Sequence, residues 1–294
     1  MKKNTLRLPE GLIGPVKMVF LDLDGTALNH EKELSANTLQ ALNLLKLHGI
    51  PFTFASARPA AMMGLYCQKA NVSGPIIASE GAEIRIWETG NTICQFPIAA
   101  KEAVALMEFC HDIGADYTFY TPHDAYFRQD TRRLQRFRQY NDRAVAAGLL
   151  PVSCQFYEAY TPNFIASRQV LKVCVIAEDD ASRAAVQAFL KQHPTLRSEG
   201  SENHTLSIVA NTVSKAACVR LLCQMQGIEL EDICYFGDYY NDMETLRTVG
   251  HSVAMSNAPE AVRDSARYVT ASNDKMLSLP LALSRMTTAS SVTS

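Results

Sequence analysis

The segment Val16–Leu28, VKMVFLDLDGTAL, joins a buried strand to a pair of carboxylates. Its apolar run Met18–Leu21 is typical of a parallel strand covered on both faces. Asp22 and Asp24 follow two residues apart, so both carboxylates point to the same side if the strand geometry continues, and Gly25 then allows a sharp turn. Two interpretations stay open for this segment alone: an acidic surface turn, or a ligand site beyond the carboxyl end of a strand in an α/β sheet.

Strands and helices alternate on both sides of a central interruption. The N-terminal part has a helix after Ser35, followed by strands at Pro51–Ala55 and Pro75–Ala78. The alternation returns from Val213, with a further strand at Asp232–Phe236. This order predicts a doubly wound parallel sheet of the α/β class.

The central interruption has a different pattern, with a hairpin around Gly90 and helices interleaved with adjacent pairs of strands. We therefore predict that residues 1–83 and 202–294 form a Rossmann-like core and residues 84–201 an inserted α+β cap. A basic helix is expected at Thr131–Ala147. Its arginines form either a patch for phosphate or acidic partners, or a solvated helix face.

The composition is that of an ordinary globular protein. The 294 residues are 47% apolar and 20% charged, with a formal net charge of −2, which offers no basic field for nucleic acid or an anionic membrane. The N-terminal segment lacks the apolar core of a signal peptide, and no stretch approaches the ~20 apolar residues of a membrane span. The eight cysteines include no CxxC pair, which favours reduced, mostly buried thiols in the cytoplasm. A disulfide framework or a zinc site is the alternative.

Polar residues follow the predicted strands or open the next helix at four places. They are Asp22 with Asp24, Ser56, Lys215, and the group Asp238, Asn241 and Asp242. Each has an ordinary explanation by itself, as a helix cap, a solvated lysine or an acidic turn before a helix. In one parallel sheet, however, all four would meet at one edge. Carboxylates are suitable ligands for Mg²⁺, and hydroxyl and ammonium groups are suitable donors to a phosphoryl group.

This arrangement resembles the haloacid dehalogenase-like hydrolases, and within them the Cof-type sugar phosphatases, over nearly the whole chain. Asp22–Thr26 matches the first motif of that family, DxDGT, and Gly237–Asp242 matches the fourth, GDxxND. Ser56 matches the second motif and Lys215 the third. The first and fourth motifs in this order are the specific part of the resemblance, because the other two are easily matched by chance.

The resemblance implies a role for each of these residues. Asp22 would be the nucleophile that forms an aspartyl-phosphate, and Asp24 would protonate the leaving oxygen and later deprotonate water. The implied ligands of Mg²⁺ are the Asp22 carboxylate, the Asp24 carbonyl oxygen and Asp238, with Asp242 bound directly or through water. The implied phosphate-binding residues are Ser56, Lys215 and Asn241.

The chain departs from the family pattern at several positions. Ala57 and Ala216 stand where glycine is usual, and Glu80 stands where asparagine is usual. Glu80 would disfavour a nearby phosphate, or favour a substrate with an amine or extra hydroxyl groups. Arg58, Glu80 and Asn273 are candidates for contact with the substrate or for support of the metal site. The late loop that contains Asn273 lacks its usual glycine.

The cap is expected to select the substrate. Its aromatic residues either stack on a sugar or ring, or form the core of the cap; they are Tyr117, Tyr120, Tyr126, Phe127 and Tyr157. His123 and Arg128 are further candidates, whereas His204 is interpreted as structural.

The sequence thus predicts a cytoplasmic, Mg²⁺-dependent phosphatase of small phosphorylated metabolites such as sugar phosphates. We expect a monomer or small homo-oligomer with no nucleic-acid or membrane partner. A phosphotransferase or phosphomutase of the same superfamily is the enzymatic alternative. A non-catalytic metabolite-binding protein is the other, and the retention of Asp22, Asp24 and Asp238 speaks against it.

Overall fold

A computed structural model describes residues 16–128, 131, 133–157, 161–200 and 204–270. The strands are β1 (Met18–Leu21), β2 (Phe52–Phe54), β3 (Pro75–Ala78), β4 (Glu83–Ile86), β5 (Thr92–Gln95), β6 (Asp116–Tyr120), β7 (Asp124–Phe127), β8 (Ser153–Phe156), β9 (Lys172–Ile176), β10 (Leu196–Gly200), β11 (Thr205–Ala210), β12 (Ile233–Gly237), β13 (His251–Met255) and β14 (Tyr268–Thr270). The α-helices are α1 (Ala36–Leu47), α2 (Gly64–Ala70), α3 (Ala100–Asp112), α4 (Arg133–Ala146), α5 (Pro162–Ala166), α6 (Asp180–Gln192), α7 (Lys215–Gln226), α8 (Met243–Thr248) and α9 (Glu260–Asp264).

A five-stranded sheet forms the centre of the molecule. Its order is β14-β13-β12-β1-β2, and every neighbouring pair is parallel. β3 lies beside β2 through a parallel bridge between Ala55 and Ile77. The predicted α/β class with a doubly wound parallel sheet is therefore confirmed.

Alternate residues of β1 belong to two apolar layers on opposite faces of this sheet. Val19 and Leu21 lie in the cluster that includes residues of α1 and α2, whereas Met18 and Phe20 lie in the cluster that includes residues of α7 and α8. All four side chains are buried. The unbroken apolar run thus reflects a strand covered by helices on both faces.

The cap is built on a six-stranded sheet with the order β10-β11-β9-β6-β7-β8. Its pairs are antiparallel apart from β7 and β8, which run parallel. One face carries an apolar layer that includes Val173, Val175 and Ile208 and residues of α3, α5 and α6. Tyr117 and Tyr126 lie in this layer, as the core interpretation of the cap aromatics predicts.

Two sets of strand pairings lie near the predicted boundaries between the core and the cap. β4 and β5 form the expected hairpin, which pairs with β3 in a three-stranded antiparallel sheet. β11 pairs with β9 and β10 of the cap sheet. The division into 1–83 with 202–294 and 84–201 stays a prediction. Among the described residues, no helix is both long and apolar enough to cross a bilayer.

Candidate active site

Two acidic segments meet at the carboxyl ends of neighbouring strands. β1 runs parallel to β12 with Leu21 opposite Phe236, and the Asp22 N–H donates to the Phe236 carbonyl at 2.9 Å. Asp22 therefore leaves the sheet beside Asp238, the residue that follows β12. This is the edge at which open α/β sheets bind ligands.

Lys215 lies at the centre of the acidic cluster. Its side chain is fully buried at the start of α7, and its Nζ donates to Asp22 Oδ1 at 2.7 Å and to Asp242 Oδ1 at 2.8 Å. The Ser214 hydroxyl caps this helix by accepting from the Ala217 N–H, so the helix start is fixed. The sequence prediction that places these residues together agrees with this geometry.

The cluster has more negative than positive charge. Burial raises the pKa of Asp22 well above its usual range; Lys215 opposes this effect, and the carboxylates of Asp242 and Asp238 add to it. Burial lowers the pKa of Lys215, but the charges of Asp22 and Asp242 outweigh it, so that this pKa lies well above its usual range. One ammonium group thus faces three carboxylates, and a further cation would stabilise the ionised form of Asp22.

The donor set fits a hard divalent cation. Asp22, Asp238 and Asp242 each offer a carboxylate oxygen, and these oxygens lie within 4.8 Å of one another. Asp242 has a second function, because Oδ1 also accepts from the Tyr235 hydroxyl at 2.5 Å, and Oδ2 accepts from the N–H groups of Asp238 and Tyr239. Asp242 therefore fixes the loop that carries Asp238.

Residues of the first motif and its turn also contact Asp238. Gly25 has a φ of +81°, and a Cβ at this position would lie 2.1 Å from Asp238 Oδ2, so the approach requires glycine. The Thr26 hydroxyl donates to Asp238 Oδ1 at 3.0 Å. Asn257 Nδ2 donates to the Gly25 carbonyl at 3.0 Å and to Asp238 Oδ2 at 3.4 Å. Asn257 was not predicted from the sequence, although it follows the end of β13, where polar residues are expected to reach the site.

Asp24 is surrounded by cations. Arg58 makes two contacts with its carboxylate, from Nε at 2.6 Å and from Nη2 at 2.8 Å. Arg136 of the cap lies at 3.3 Å and Lys32 at 3.1 Å from Oδ1. Burial raises the pKa of Asp24, but Arg58, Arg136 and Lys32 outweigh it and hold this pKa well below its usual range. Arg58 thus contacts Asp24 directly.

Ser56 lies at the end of β2 and is buried. Its Oγ accepts from the Arg58 N–H at 3.2 Å, and its side chain lines the same cavity as Asp22 and Asp24. This position agrees with the predicted role of Ser56 in binding a phosphoryl group, which stays a prediction.

Glu80 lies next to Asn241, outside the described lining of the cavity. Its side chain is buried, its φ is +63°, and Oε2 accepts from Asn241 Nδ2 at 2.8 Å. Asn241 lines the cavity, whereas Glu80 is absent from the described lining. The structure thus offers a positioning contact to Asn241 as the explanation for the unusual Glu80. Gly81, with a φ of +101°, packs against the Ser214 carbonyl and joins this loop to the start of α7.

A cavity of about 420 Å³ separates the core from the cap sheet. Asp22, Asp24, Ser56, Asp238 and Asn241 line the core side. The cap side includes Tyr120, Arg133, Arg136, Lys172, Cys174, His204, Thr205 and Ser207.

The cap wall differs in part from the sequence interpretation. His204, interpreted as structural, lies in the cavity wall, whereas the candidates His123 and Arg128 are absent from the described lining. In α4, Arg133 and Arg136 face the cavity, while Arg138 is exposed to solvent. The helix therefore presents some arginines to the cavity and others to solvent, and the binding of phosphate by the first group stays a prediction. Asn273 lies outside the described residues.

Comparisons with known proteins agree with this geometry. A model of the family described as haloacid dehalogenase-like hydrolase matches residues 19–278. A putative phosphatase of Haemophilus influenzae is 26% identical over 263 residues, which cover 88% of this chain and 94% of that protein. The 5-amino-6-(5-phospho-D-ribitylamino)uracil phosphatase YitU of Bacillus subtilis is 26% identical over 269 residues, which cover 88% of this chain and 93% of that protein.

A solved structure shows the same fold. It is a haloacid dehalogenase-like hydrolase from B. subtilis, with a TM-score of 0.79 and 22% identity, and the match covers 92% of this chain and 99% of that one. The predicted family and the predicted hydrolase class are confirmed, since the family model spans most of the chain. This chain belongs to the haloacid dehalogenase-like hydrolases.

Proposed function

We propose that this chain is a Mg²⁺-dependent phosphatase of small phosphorylated metabolites that acts through an aspartyl-phosphate on Asp22. The observation that carries the proposal is the meeting of Asp22, Asp238, Asp242 and Lys215 at one edge of the parallel sheet, within hydrogen-bond and metal-ligand distances. The phosphatase names of the relatives support the same reaction class.

Asp22 is the proposed nucleophile. A carboxylate oxygen of Asp22 attacks phosphorus, the bond from phosphorus to the leaving oxygen breaks, and Asp24 gives that oxygen a proton. Water then attacks phosphorus and passes a proton to Asp24, which frees inorganic phosphate and the Asp22 carboxylate. Asp22, Asp238 and Asp242 are the proposed holders of Mg²⁺, which when bound offsets the repulsion between carboxylate and phosphate.

The cations around Asp24 oppose both proton transfers. While Arg58, Arg136 and Lys32 contact its carboxylate, the lowered pKa keeps Asp24 ionised, so that it has no proton to donate and is a weak base. Donation to a leaving group therefore requires Asp24 to separate from at least some of these cations. Arg136 belongs to the cap, so movement of the cap would change the protonation of Asp24.

The lining of the cavity supports small substrates. Ser56 and Asn241 lie on the core side and are proposed to bind phosphoryl oxygens, together with Lys215. Lys172 of β9 donates to the Ala57 carbonyl, so the cap sheet contacts the loop after β2. A cap held this closely limits the access of bulk water and of large substrates.

The test measures phosphate release with Mg²⁺ from sugar phosphates, nucleotides, pyridoxal phosphate and flavin mononucleotide. We expect activity that a chelator removes and that Asp22→Asn abolishes, while Asp112→Asn, an exposed control, retains it. Acid quench of a single turnover should trap phosphate on the wild-type protein. Inactivity across the panel, or an active Asp22→Asn, would show that the proposal is wrong. With excess acceptor sugar, inorganic phosphate as the product indicates a hydrolase, and a phosphorylated acceptor indicates a phosphotransferase.

A further inference from the structure

Strands β9 and β11 of the cap sheet line the cavity with the face opposite the apolar layer, and they present polar side chains there next to Ile176. In β9, Val173 and Val175 enter the apolar layer, while Lys172 and Cys174 line the cavity. In β11, Leu206 and Ile208 enter the layer, while Thr205 and Ser207 line the cavity. Residues of one strand alternate between its two faces, so each strand adds polar groups to the same wall.

Two cations of this wall are held by neutral oxygen atoms. Lys172 is buried and donates to the Ala57 carbonyl, with its ammonium 5.3 Å from the centre of the Tyr120 ring. Arg133 donates to the Tyr120 hydroxyl at 3.0 Å and to Thr205 Oγ1 at 3.2 Å. Within the described part of the chain, neither cation has a carboxylate within 4 Å.

Arg133 also retains capacity for a further hydrogen bond. Its Nε is buried, and among the described residues no acceptor reaches it. A buried N–H that lacks an acceptor is costly, and an anionic acceptor is the strongest partner for a guanidinium group.

Among the described residues that line the cavity, the cap side has a positive charge balance. Its cations are Arg133, Arg136 and Lys172, and its carboxylate is that of Glu178. Arg136 contacts Asp24 across the cavity, so Lys172 and Arg133 are the cations of this described set that have no carboxylate within 4 Å.

The pKa of Cys174 reflects the positive charge of Lys172 and Arg133. Burial raises the pKa of Cys174, but the charges of Lys172 and Arg133, with hydrogen bonds from Ser207 and Tyr120, outweigh it and lower this pKa below the usual thiol value. The seven other cysteines have raised pKa values. Cys174 thus indicates a positive potential on this part of the wall.

We propose that the preferred substrate carries a second anionic group, a carboxylate or a second phosphate, which binds to Lys172 and Arg133 while the other phosphate is transferred to Asp22. This inference rests on the proposed phosphatase function and names the substrate class for that site. A volume of about 420 Å³ is within the range of small-molecule sites and accommodates a metabolite with two charged ends.

The test compares matched pairs of substrates. Glucose 6-phosphate against 6-phosphogluconate tests a carboxylate, and fructose 6-phosphate against fructose 1,6-bisphosphate tests a second phosphate. We expect kcat/KM to be at least about tenfold higher for one of the anionic members, since a hydrogen bond to a charged group contributes about that factor. The pair that shows the preference identifies the anionic group.

The ratio of kcat/KM for the anionic member to kcat/KM for the neutral member of a pair is then measured for Lys172→Met and Arg133→Gln. Both variants should lower the ratio about tenfold, and Lys172→Arg should restore most of it. Lys191→Met and Arg138→Gln, which change exposed cations of the cap, should leave the ratio unchanged. The ratio is insensitive to partial unfolding, because a loss of active protein lowers both members equally.

Three outcomes would overturn the inference. The first is a ratio near one for both pairs in the wild type. The second is an equal loss for neutral and anionic members in the variants, which would place Lys172 and Arg133 at the transferred phosphate or in a structural role. The third is turnover of flavin mononucleotide or pyridoxal phosphate with none of the four test substrates. In all three the phosphatase proposal survives, whereas inactivity toward every phosphate ester would remove both.

Discussion

Lys215 donates a hydrogen bond of 2.7 Å to Asp22, a residue 193 positions away in the chain. This ion pair is buried, and Asp238 and Asp242 add negative charge beside it. The net charge of the cluster therefore controls both the protonation of Asp22 and the stability of the fold around it.

The first prediction concerns stability in the absence of divalent metal. The pKa of folded Asp22 is raised, so the folded state loses stability relative to the unfolded state as the pH rises through that raised value. Asp22→Asn removes this titration. In a chelator, the urea midpoint of the wild type should fall relative to that of Asp22→Asn as the pH rises, and Mg²⁺ should close the difference. Parallel pH profiles of the two proteins in chelator would contradict the expectation.

The second prediction concerns Asp24. Arg136→Gln removes one of the cations that lower the pKa of Asp24, so this pKa should rise. Ionised Asp24 stabilises the fold, and this stability is lost as the pH falls. Arg136→Gln should therefore lose less unfolding free energy than the wild type between about pH 5 and pH 2, by about 0.2–1 kcal/mol in urea unfolding, the size of a partly exposed ion pair. Arg138→Gln on the same helix serves as the control, and an equal change in that variant would count against the assignment.

The third prediction concerns Cys174. Because its pKa is lowered, Cys174 should ionise at a lower pH than the other cysteines of the chain. The ultraviolet absorbance of the thiolate, taken as the difference between wild type and Cys174→Ser, should show one early titration step. Lys172→Met should move that step to higher pH. An unchanged midpoint in Lys172→Met would mean that Lys172 does not determine the potential at this position.

The fourth prediction separates backbone strain from displacement of Asp238. Gly25→Ala and Gly90→Ala both place alanine at a positive φ, +81° and +70°, and each should cost about 1–2 kcal/mol of unfolding free energy. A Cβ at Gly90 meets nothing within 4 Å, whereas one at Gly25 meets Asp238. Gly90→Ala should therefore keep its activity and Mg²⁺ affinity, and Gly25→Ala should lose both. Equal activity in the two variants would show that the contact with Asp238 is unimportant.

The fifth prediction distinguishes two roles of Glu80. If Glu80 positions Asn241, Glu80→Ala and Asn241→Ala should lower kcat/KM by similar factors for every substrate, and the double variant should be little worse than either single one. A change in the order of preferred substrates would indicate contact with the substrate instead. Thermal unfolding of each variant controls for loss of the fold.

The sequence was sufficient to predict the parallel core sheet and to bring the first and fourth motifs to one edge of it, although it did not point to Asn257. Parallel strands bring their carboxyl ends together, so Asp22 and Asp238 could be placed together without knowledge of the tertiary structure. The edge strands β8 and β10 were missed because their mixed polar sequences lack a clear alternation of apolar and polar residues. The direction of each arginine in α4 depends on how the helix packs against the core, and no local pattern encodes that.

The position of β1 has a consequence for biosynthesis. One of the two partners of β1 is β12, which is synthesised more than 200 residues later. At 5–20 residues per second, one edge of β1 waits about 10 to 40 s for that partner. During this interval the nascent chain exposes an apolar strand edge, so production of the intact protein should respond to chaperone supply and to the speed of translation.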